Sequence, residues 1–257
     1  MFHVTAIPAF NDNYIWALSI PESRDIAVVD PGDAAAVNDY LARNQLNLTT
    51  ILITHHHQDH TGGVNQLVDE HQAAVYGPAN TPFPGIQQPL HSGDSITLFG
   101  QKLQIQEVPG HTLDHISYFQ EGDTPQLLCG DTLFLAGCGR LFEGSPAQML
   151  AAMRYFKQLP DDTQVYCTHE YSLANLAFAA AVEPANSDIQ NCISHCQTLR
   201  QQDSPTLPTS IGAEKQINPF LRTAENSVIK AAEQFSGHKL LSETDVFAAI
   251  REWKNQF

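Results

Sequence analysis

The run Thr54-His55-His56-His57-Gln58-Asp59-His60 constrains this chain more than any other feature. It follows directly on the apolar stretch Thr50-Ile51-Leu52-Ile53. A strand therefore ends in a cluster of nitrogen and oxygen donors that a loop can aim at one point. Imidazole and carboxylate together favour zinc, iron or manganese over calcium or magnesium, and a run without cysteine argues against a structural Cys-rich zinc site. A solvated histidine-rich loop is the plainer reading of such a tract. Recurrence speaks against it: His111 in Val108-Pro109-Gly110-His111-Thr112, Asp131 in Cys129-Gly130-Asp131-Thr132 and His169 in Cys167-Thr168-His169-Glu170 each follow a short β-like run. Strand ends that repeatedly offer ligands suit a site built on one rim of a sheet.

The donors His55, His57, Asp59, His60, His111, Asp131 and His169 are too many for one tetrahedral or five-coordinate ion, so two metals fit better. Alternation along an extended segment puts His55 and His57 on one side, and His111 is expected to join them at the first metal. After His57 the spacing of Val64, Leu67, Val68 and His71 predicts a helix. Asp59 and His60 then project from a different local geometry and are expected with His169 at the second metal. Asp131, with two oxygens, would bridge. His56 alternates away and belongs to neither ion. Asp30 and His115 are candidates for hydrogen bonds that fix ligand tautomers, and for His115 a packed polar network is an equal alternative.

Short β-like runs dominate the first two thirds of the chain, at 26–30, 51–54, 73–76, 103–108, 116–119, 127–129 and 165–168. Helical patterns interrupt them at 34–44 and 146–158, the second with Ser145 as N-cap, Pro146 at the first helical position and Gln148 closing a Ser-x-x-Gln box. That alternation predicts a layered α/β domain. From about Leu173 the strand signal stops, and helices are expected at 173–181, 188–202, 224–234 and 243–255, forming a separate helical domain.

A chain of 257 residues with 42 % hydrophobic residues can bury a substantial core as one large or two modest domains. Its formal charge of −15 opposes polyanion binding, so no nucleic-acid partner is expected. The N-terminal segment has neither a basic region nor a sustained apolar one, and no run is long enough to span a bilayer. No membrane partner, a cytoplasmic location and a monomeric state are the expectations. Five cysteines without a CxxC pair fit reduced thiols. Cations are few, and an anionic substrate would need them concentrated at the site, with Arg140, Arg251 and Lys254 the candidates. Arg251 and Lys254 are three apart on one helix face, and by spacing alone a solvated face or a favourable interaction with the helix dipole accounts for them.

The motifs HxHxDH, PGHT, GDT and a late histidine resemble the metallo-β-lactamase superfamily. Asn11-Asp12-Asn13-Tyr14, Asp30-Pro31-Gly32-Asp33, Gly137-Cys138-Gly139-Arg140 and Thr168-His169-Glu170-Tyr171 narrow the resemblance to the glyoxalase II, or hydroxyacylglutathione hydrolase, family. The resemblance implies an α/β fold, a four-layer αββα metallo-β-lactamase sandwich with a C-terminal α-helical domain. It divides into a catalytic domain at 1–170 and a helical substrate-binding domain at 171–257. Two divalent metal ions are implied, zinc first, with iron or manganese as alternatives, and Asp59 and Asp131 orienting a metal-bridging hydroxide. The resemblance also turns Arg251 and Lys254 into a clamp for the glycine carboxylate of glutathione and places Arg140 and Tyr171 against the tripeptide. Phe142 joins this set as a departure, because a tyrosine of the family is replaced and its hydroxyl contact is lost.

The implied reaction is hydrolysis of S-(2-hydroxyacyl)glutathione thioesters, typically S-D-lactoylglutathione to D-lactate and glutathione, a step of methylglyoxal detoxification. A thiolate of pKa about 8.5 to 9 leaves readily, so a site rich in ligands and poor in other catalytic groups suffices. No GxSxG elbow is present, which speaks against a serine thioesterase. The alternatives are another enzyme of the same fold, such as a lactonase or a persulfide dioxygenase, or a metal-binding regulator without turnover.

Overall fold

A computed structural model describes residues 1–257. The chain divides into two compact units, Met1–Val108 with Asp114–Gly130, and Pro109–Leu113 with Asp131–Phe257.

The first unit runs β1 (His3–Ala9), β2 (Asn13–Ser19), β3 (Asp25–Val29), α1 (Ala34–Asn44), β4 (Asn47–Leu52), α2 (Gln58–Thr61), α3 (Val64–His71), β5 (Ala74–Pro78), β6 (Gln88–Leu90), β7 (Ser95–Leu98), β8 (Gln101–Glu107), β9 (Ile116–Gln120) and β10 (Gln126–Gly130). β1 to β6 form one sheet in sequence order, antiparallel up to β3 and parallel from there on. α1 links β3 to β4, and α2 with α3 links β4 to β5. Side-chain alternation explains the packing. Ile26 and Val28 of β3 and Ile51 beside Ile53 face Val37 and Leu41 of α1 and Val64 and Leu67 of α3, all buried in one cluster. The opposite face, with Ala27, Val29 and Leu52, is buried as well. Strands of a parallel sheet covered on both sides read as continuous apolar runs, as these do. Each such aliphatic side chain contributes roughly 1.5–3 kcal/mol by burial.

β7 to β10 pair antiparallel in a meander. Tyr118 of β9 ties this layer to the ligand strand by donating from its hydroxyl to the carbonyl of Ile53 at 2.8 Å. Burial, and then the charge of Asp30, push that phenol well above its usual pKa, so it stays a neutral donor. α1 starts on Asp33, whose Oδ1 accepts from the amides of Ala35 and Ala36 at 2.9 and 3.3 Å, and stops at Gln45 in the left-handed region.

The second unit contains β11 (Leu133–Phe134), β12 (Gly137–Cys138), α4 (Pro146–Lys157), β13 (Gln164–Cys167), α5 (Ser172–Val182), α6 (Ser187–Gln201), β14 (Thr209–Ser210), α7 (Ile211–Ile217), α8 (Asn226–Ser236) and α9 (Glu243–Gln256). The capping box expected at Ser145 and Gln148 is present, and Ser242 with Asp245 forms another at α9. Phe178, Phe220 and Phe247 are fully buried in its core. None of the five cysteines is in a disulfide.

Several elements depart from the sequence reading, the strands β1, β2, β6, β7, β11, β12 and β14 and the helix α7 among them. β1 and β2 pair at the start of the chain, where Pro8 and the polar turn before Asn13 mask the β pattern; an edge strand accommodates a proline. The strand signal does not end near Leu173, because Thr209 and Ser210 pair with Val165 and Gln164. Two residues are too few to show alternation. α7, capped by Ser210 accepting from the amide of Ala213 at 3.2 Å, is hidden by Gly212 in its first turn, a poor helix former.

Candidate metal centre

Two sets of donors are assembled, one within each unit. In the first unit β3 and β4 lie side by side and both end at the same rim. Past β4 come Thr54 and His55, and past β3 comes Asp30, whose amide donates to the carbonyl of Leu52 at 2.9 Å. Asp30 sits at φ 54°, a conformation aspartate tolerates better than most residues, and it turns its carboxylate onto the neighbouring strand. Its Oδ1 accepts from the amide of Thr54 and its Oδ2 from the Thr54 hydroxyl, both at 2.8 Å. The same Oδ2 lies 2.9 Å from Nδ1 of His60.

These contacts set imidazole tautomers. Two acceptors at that distance repel, so Nδ1 of His60 is the protonated nitrogen and Nε2 keeps its lone pair, although the N–H is not aligned as a hydrogen bond to the carboxylate. Thr54 has spent its hydroxyl proton on Asp30. Its oxygen, 3.0 Å from Nδ1 of His55, therefore accepts from that nitrogen, and His55 likewise offers Nε2. Donor atoms of His55 and His57, of His55 and His60, and of Asp59 and His60 lie within 4.8 Å of each other. His55 stacks on His115 with ring centroids 4.5 Å apart, and Nδ1 of His115 meets the carbonyl of Ile116 at 3.0 Å. Asp59 is held by the side-chain amide of Asn13 at 3.0 Å. Gly32 lets the chain after Asp30 press against the start of α2, since a Cβ there would stand 1.9 Å from the carbonyl oxygen of Asp59.

In the second unit Oδ2 of Asp131 lies 3.5 Å from Nε2 of His111 and 3.2 Å from Nε2 of His169. Nδ1 of His111 donates to the carbonyl oxygen of Arg140 at 2.8 Å, which again leaves Nε2 as the lone-pair nitrogen. Gly139 permits this approach, because a Cβ would fall 2.0 Å from the carbonyl oxygen of Asp131 and 3.0 Å from the His111 ring.

This donor set fits metal ions. In His60 with Asp59, 3.5 Å apart, and in His111 with Asp131, a lone-pair nitrogen faces a carboxylate oxygen, an arrangement that repels unless a cation lies between them. Ligands at about 2.0–2.1 Å from a tetrahedral ion stand roughly 3.3–3.4 Å from each other. The observed 3.2–3.5 Å edges match that spacing.

The expected substrate residues all lie in the second unit. Phe142, 61 % exposed, sets its ring against the His111 ring at 5.3 Å. Tyr171 stacks parallel on His169 at 4.6 Å, and Arg140 is exposed. Arg251 does not lie on a solvated helix face. It is buried, donating to the carbonyl of Cys138 at 2.9 Å, with its guanidinium 5.1 Å from the centroid of Phe220. Its Nε has no partner within the protein. Lys254 donates to the carbonyl of Ala174 at 3.2 Å and sits over Phe178. Burial, and then the charge of Arg251, lower its pKa to about 8.

Several positioning residues carry no sequence signal strong enough to assign them. Asn13 belongs to the quoted Asn-Asp-Asn-Tyr motif, yet its contact with Asp59 spans 46 positions. Asp114 pairs with Nδ1 of His56 at 2.9 Å across 58 positions. Thr54 stands in the sequence only as the end of a strand, yet its hydroxyl lies between Asp30 and His55.

Comparison with known proteins identifies the family of the chain. Residues 20–169 match the family model "Metallo-beta-lactamase superfamily" and residues 170–257 match "Hydroxyacylglutathione hydrolase C-terminus". The hydroxyacylglutathione hydrolase of Pseudomonas aeruginosa is 50% identical over 258 residues, with 100% of each chain covered. Among solved structures, ETHE1 from Myxococcus xanthus superposes with a TM-score of 0.64 at 24% identity, covering 99% of this chain and 98% of its own. Another, crystallised in a di-iron-bound form, gives 0.60 at 23% identity, covering 85% of this chain and 100% of its own. The solved structures establish the metallo-β-lactamase fold, and the full-length identity with both model matches establishes more: the chain belongs to the hydroxyacylglutathione hydrolase family of the metallo-β-lactamase superfamily.

Proposed function

We propose that this protein hydrolyses S-(2-hydroxyacyl)glutathione thioesters, typically S-D-lactoylglutathione, releasing the hydroxy acid and glutathione. The observation that carries the reading is the full-length identity with hydroxyacylglutathione hydrolases, which extends through the helical C-terminal region. The seven donors are proposed to serve two ions, His55, His57 and His111 at one, Asp59, His60 and His169 at the other, with Asp131 shared. An Asp131 oxygen close to both His111 and His169 supports the shared role. Zinc is the first choice of metal. Iron is the second reading, supported by the di-iron relative and by ligands that serve both metals. When bound, such ions supply a water acidified to a pKa of roughly 7 and a Lewis acid for the thioester carbonyl.

The protein's own groups do the rest. Asp59, steadied by Asn13, and Asp131 orient the attacking water. Asp30 and Thr54 keep His55 and His60 in the tautomers that ligation needs. The water gives up a proton to solvent, its oxygen bonds to the carbonyl carbon, the carbon–sulfur bond breaks, and glutathione departs as a thiolate that takes its proton from solvent and needs no dedicated acid. Arg140, Phe142 and Tyr171 border the reacting carbonyl's glutathione side, while Arg251 and Lys254 hold the glycine carboxylate. The unmatched Nε of Arg251 supports that assignment. Residues 1–170 form the catalytic domain and 171–257 the substrate-binding domain in this reading. A cytoplasmic monomer completes the reading, and no helix is long and apolar enough to cross a membrane. Loss of the thioester ultraviolet band of S-D-lactoylglutathione, dependent on metal, tests the proposal. A metal-loaded protein that leaves this band unchanged is a binder and refutes it.

A further inference from the structure

The hairpin β11–β12 carries Leu133 to Cys138 and leads two residues later into Arg140. Its turn is strained, with Ala136 at φ 53°, and a two-residue ladder offers it little support. Its backbone is held instead by four side chains from three helical regions. The carboxylate of Glu214 on α7 accepts from the amide of Ala136 at 2.8 Å. Asn218, just past α7, donates from one amide nitrogen to the carbonyls of Phe134 at 3.2 Å and Gly137 at 2.9 Å. Asn175 of α5 donates to Leu135 at 3.1 Å, and Arg251 of α9 to Cys138 at 2.9 Å. Glu214 organises the group, since its Oε2 also accepts from Asn218 at 2.8 Å and its Oε1 from the hydroxyl of Thr209 at 2.8 Å. Glu214 and Asn218 are wholly buried.

A fully buried carboxylate costs several kcal/mol in desolvation and is rarely placed where packing alone would serve. Here it anchors the one hairpin from which the chain reaches Arg140, whose carbonyl fixes the tautomer of His111 and whose guanidinium is proposed to meet the tripeptide. We propose that Glu214, acting with Asn218, is a positioning residue for substrate recognition: it locks the β11–β12 hairpin and so sets where Arg140 stands. The inference rests on the reading of Arg140 as a glutathione contact.

The chemistry separates two variants. Glu214→Gln keeps an oxygen for Ala136 and Asn218, and its amide nitrogen can donate to the Thr209 oxygen, so only the Thr209 hydroxyl proton must turn to another acceptor. Glu214→Ala removes the acceptor of the Ala136 amide and of the Thr209 hydroxyl, and one of the three acceptors of Asn218. The full-length enzyme and the variants Glu214→Gln, Glu214→Ala, Asn218→Ala and Arg140→Ala are compared by amide hydrogen exchange of peptides covering 131–140 and by steady-state kinetics on S-D-lactoylglutathione. For Glu214→Ala the expected result is exchange accelerated on the order of tenfold in that peptide and a Michaelis constant raised about three- to tenfold, with turnover within about twofold. Glu214→Gln should match the parent in both readouts.

Parental exchange in the 131–140 peptide of Glu214→Ala overturns the proposal, as does equal acceleration across the whole protein. So does an unchanged Michaelis constant in Glu214→Ala when Arg140→Ala raises it. If Arg140→Ala itself leaves the Michaelis constant unchanged, the glutathione reading of Arg140 is what fails, and exchange alone decides whether Glu214 holds the hairpin. Should Glu214→Ala not fold, Asn218→Ala carries the same expectations.

Discussion

The imidazole of His111 and the backbone of Arg140 share one hydrogen bond, from Nδ1 to the carbonyl oxygen at 2.8 Å. A candidate metal ligand is thereby oriented by the main chain of a candidate substrate contact, and the side chain of Arg140 is left free for another task. Truncating that side chain keeps the carbonyl in place. Arg140→Ala is expected to retain parental metal content and turnover while raising the Michaelis constant about fivefold or more, the loss of a charge-assisted hydrogen bond. Metal analysis and kinetics on the same preparation check both halves, and depleted metal would show that the side chain supports the fold of the site.

Asp30 governs two imidazoles at once, His60 directly and His55 through Thr54. Asp30→Asn keeps the shape but replaces an acceptor oxygen by a donor at one position, so one tautomer is lost. Metal affinity should drop about 10- to 100-fold, measured by competition with a chromophoric chelator. Parental affinity would mean that Asp30 serves the strands alone.

Lys254 has its pKa lowered to about 8 by burial and by Arg251. The ammonium is present below that value and lost as pH rises through it. If it holds the glycine carboxylate, the Michaelis constant should climb as pH passes about 8, and Lys254→Met should show a higher but flat value over the same range. A parallel rise in both proteins would assign the titration elsewhere.

Glu214 also leaves a mark on stability. Burial raises its carboxyl from an ordinary 4.5 to about 7, so the folded state holds a proton that the unfolded chain gives up earlier. The stabilising contribution is whole below pH 4.5 and is lost as pH climbs to about 7, a change of roughly 3 kcal/mol at most. Glu214→Gln should flatten the dependence between those limits and be the more stable protein above pH 7. Urea unfolding at pH 5 and pH 8 distinguishes the two, and parallel curves would refute the burial cost.

What the sequence revealed and what it hid follow from range of interaction. Parallel strands buried on both faces declared themselves as apolar runs, and the capping box at Ser145 is a local signal that the structure repeats. The ligand residues were legible because imidazoles and carboxylates at strand ends are chemically conspicuous. Their supports were not. Asn13 reaches Asp59 across 46 positions, and Asn218 reaches Gly137 across 81, and nothing in an asparagine's neighbours announces such a partner. β14 was missed because two residues carry no period. Arg251 was legible as a cation on a helix but not as a buried one, since the aromatic wall of Phe220 is supplied from 31 positions away.

If two ions act together on the thioester, metal content and turnover must be linked. Protein purified without chelator should contain close to two equivalents of divalent metal, lose S-D-lactoylglutathione hydrolysis on chelation, and regain it in proportion to the second equivalent restored. Full activity with a single equivalent bound, or undiminished activity after both are removed, would contradict that link.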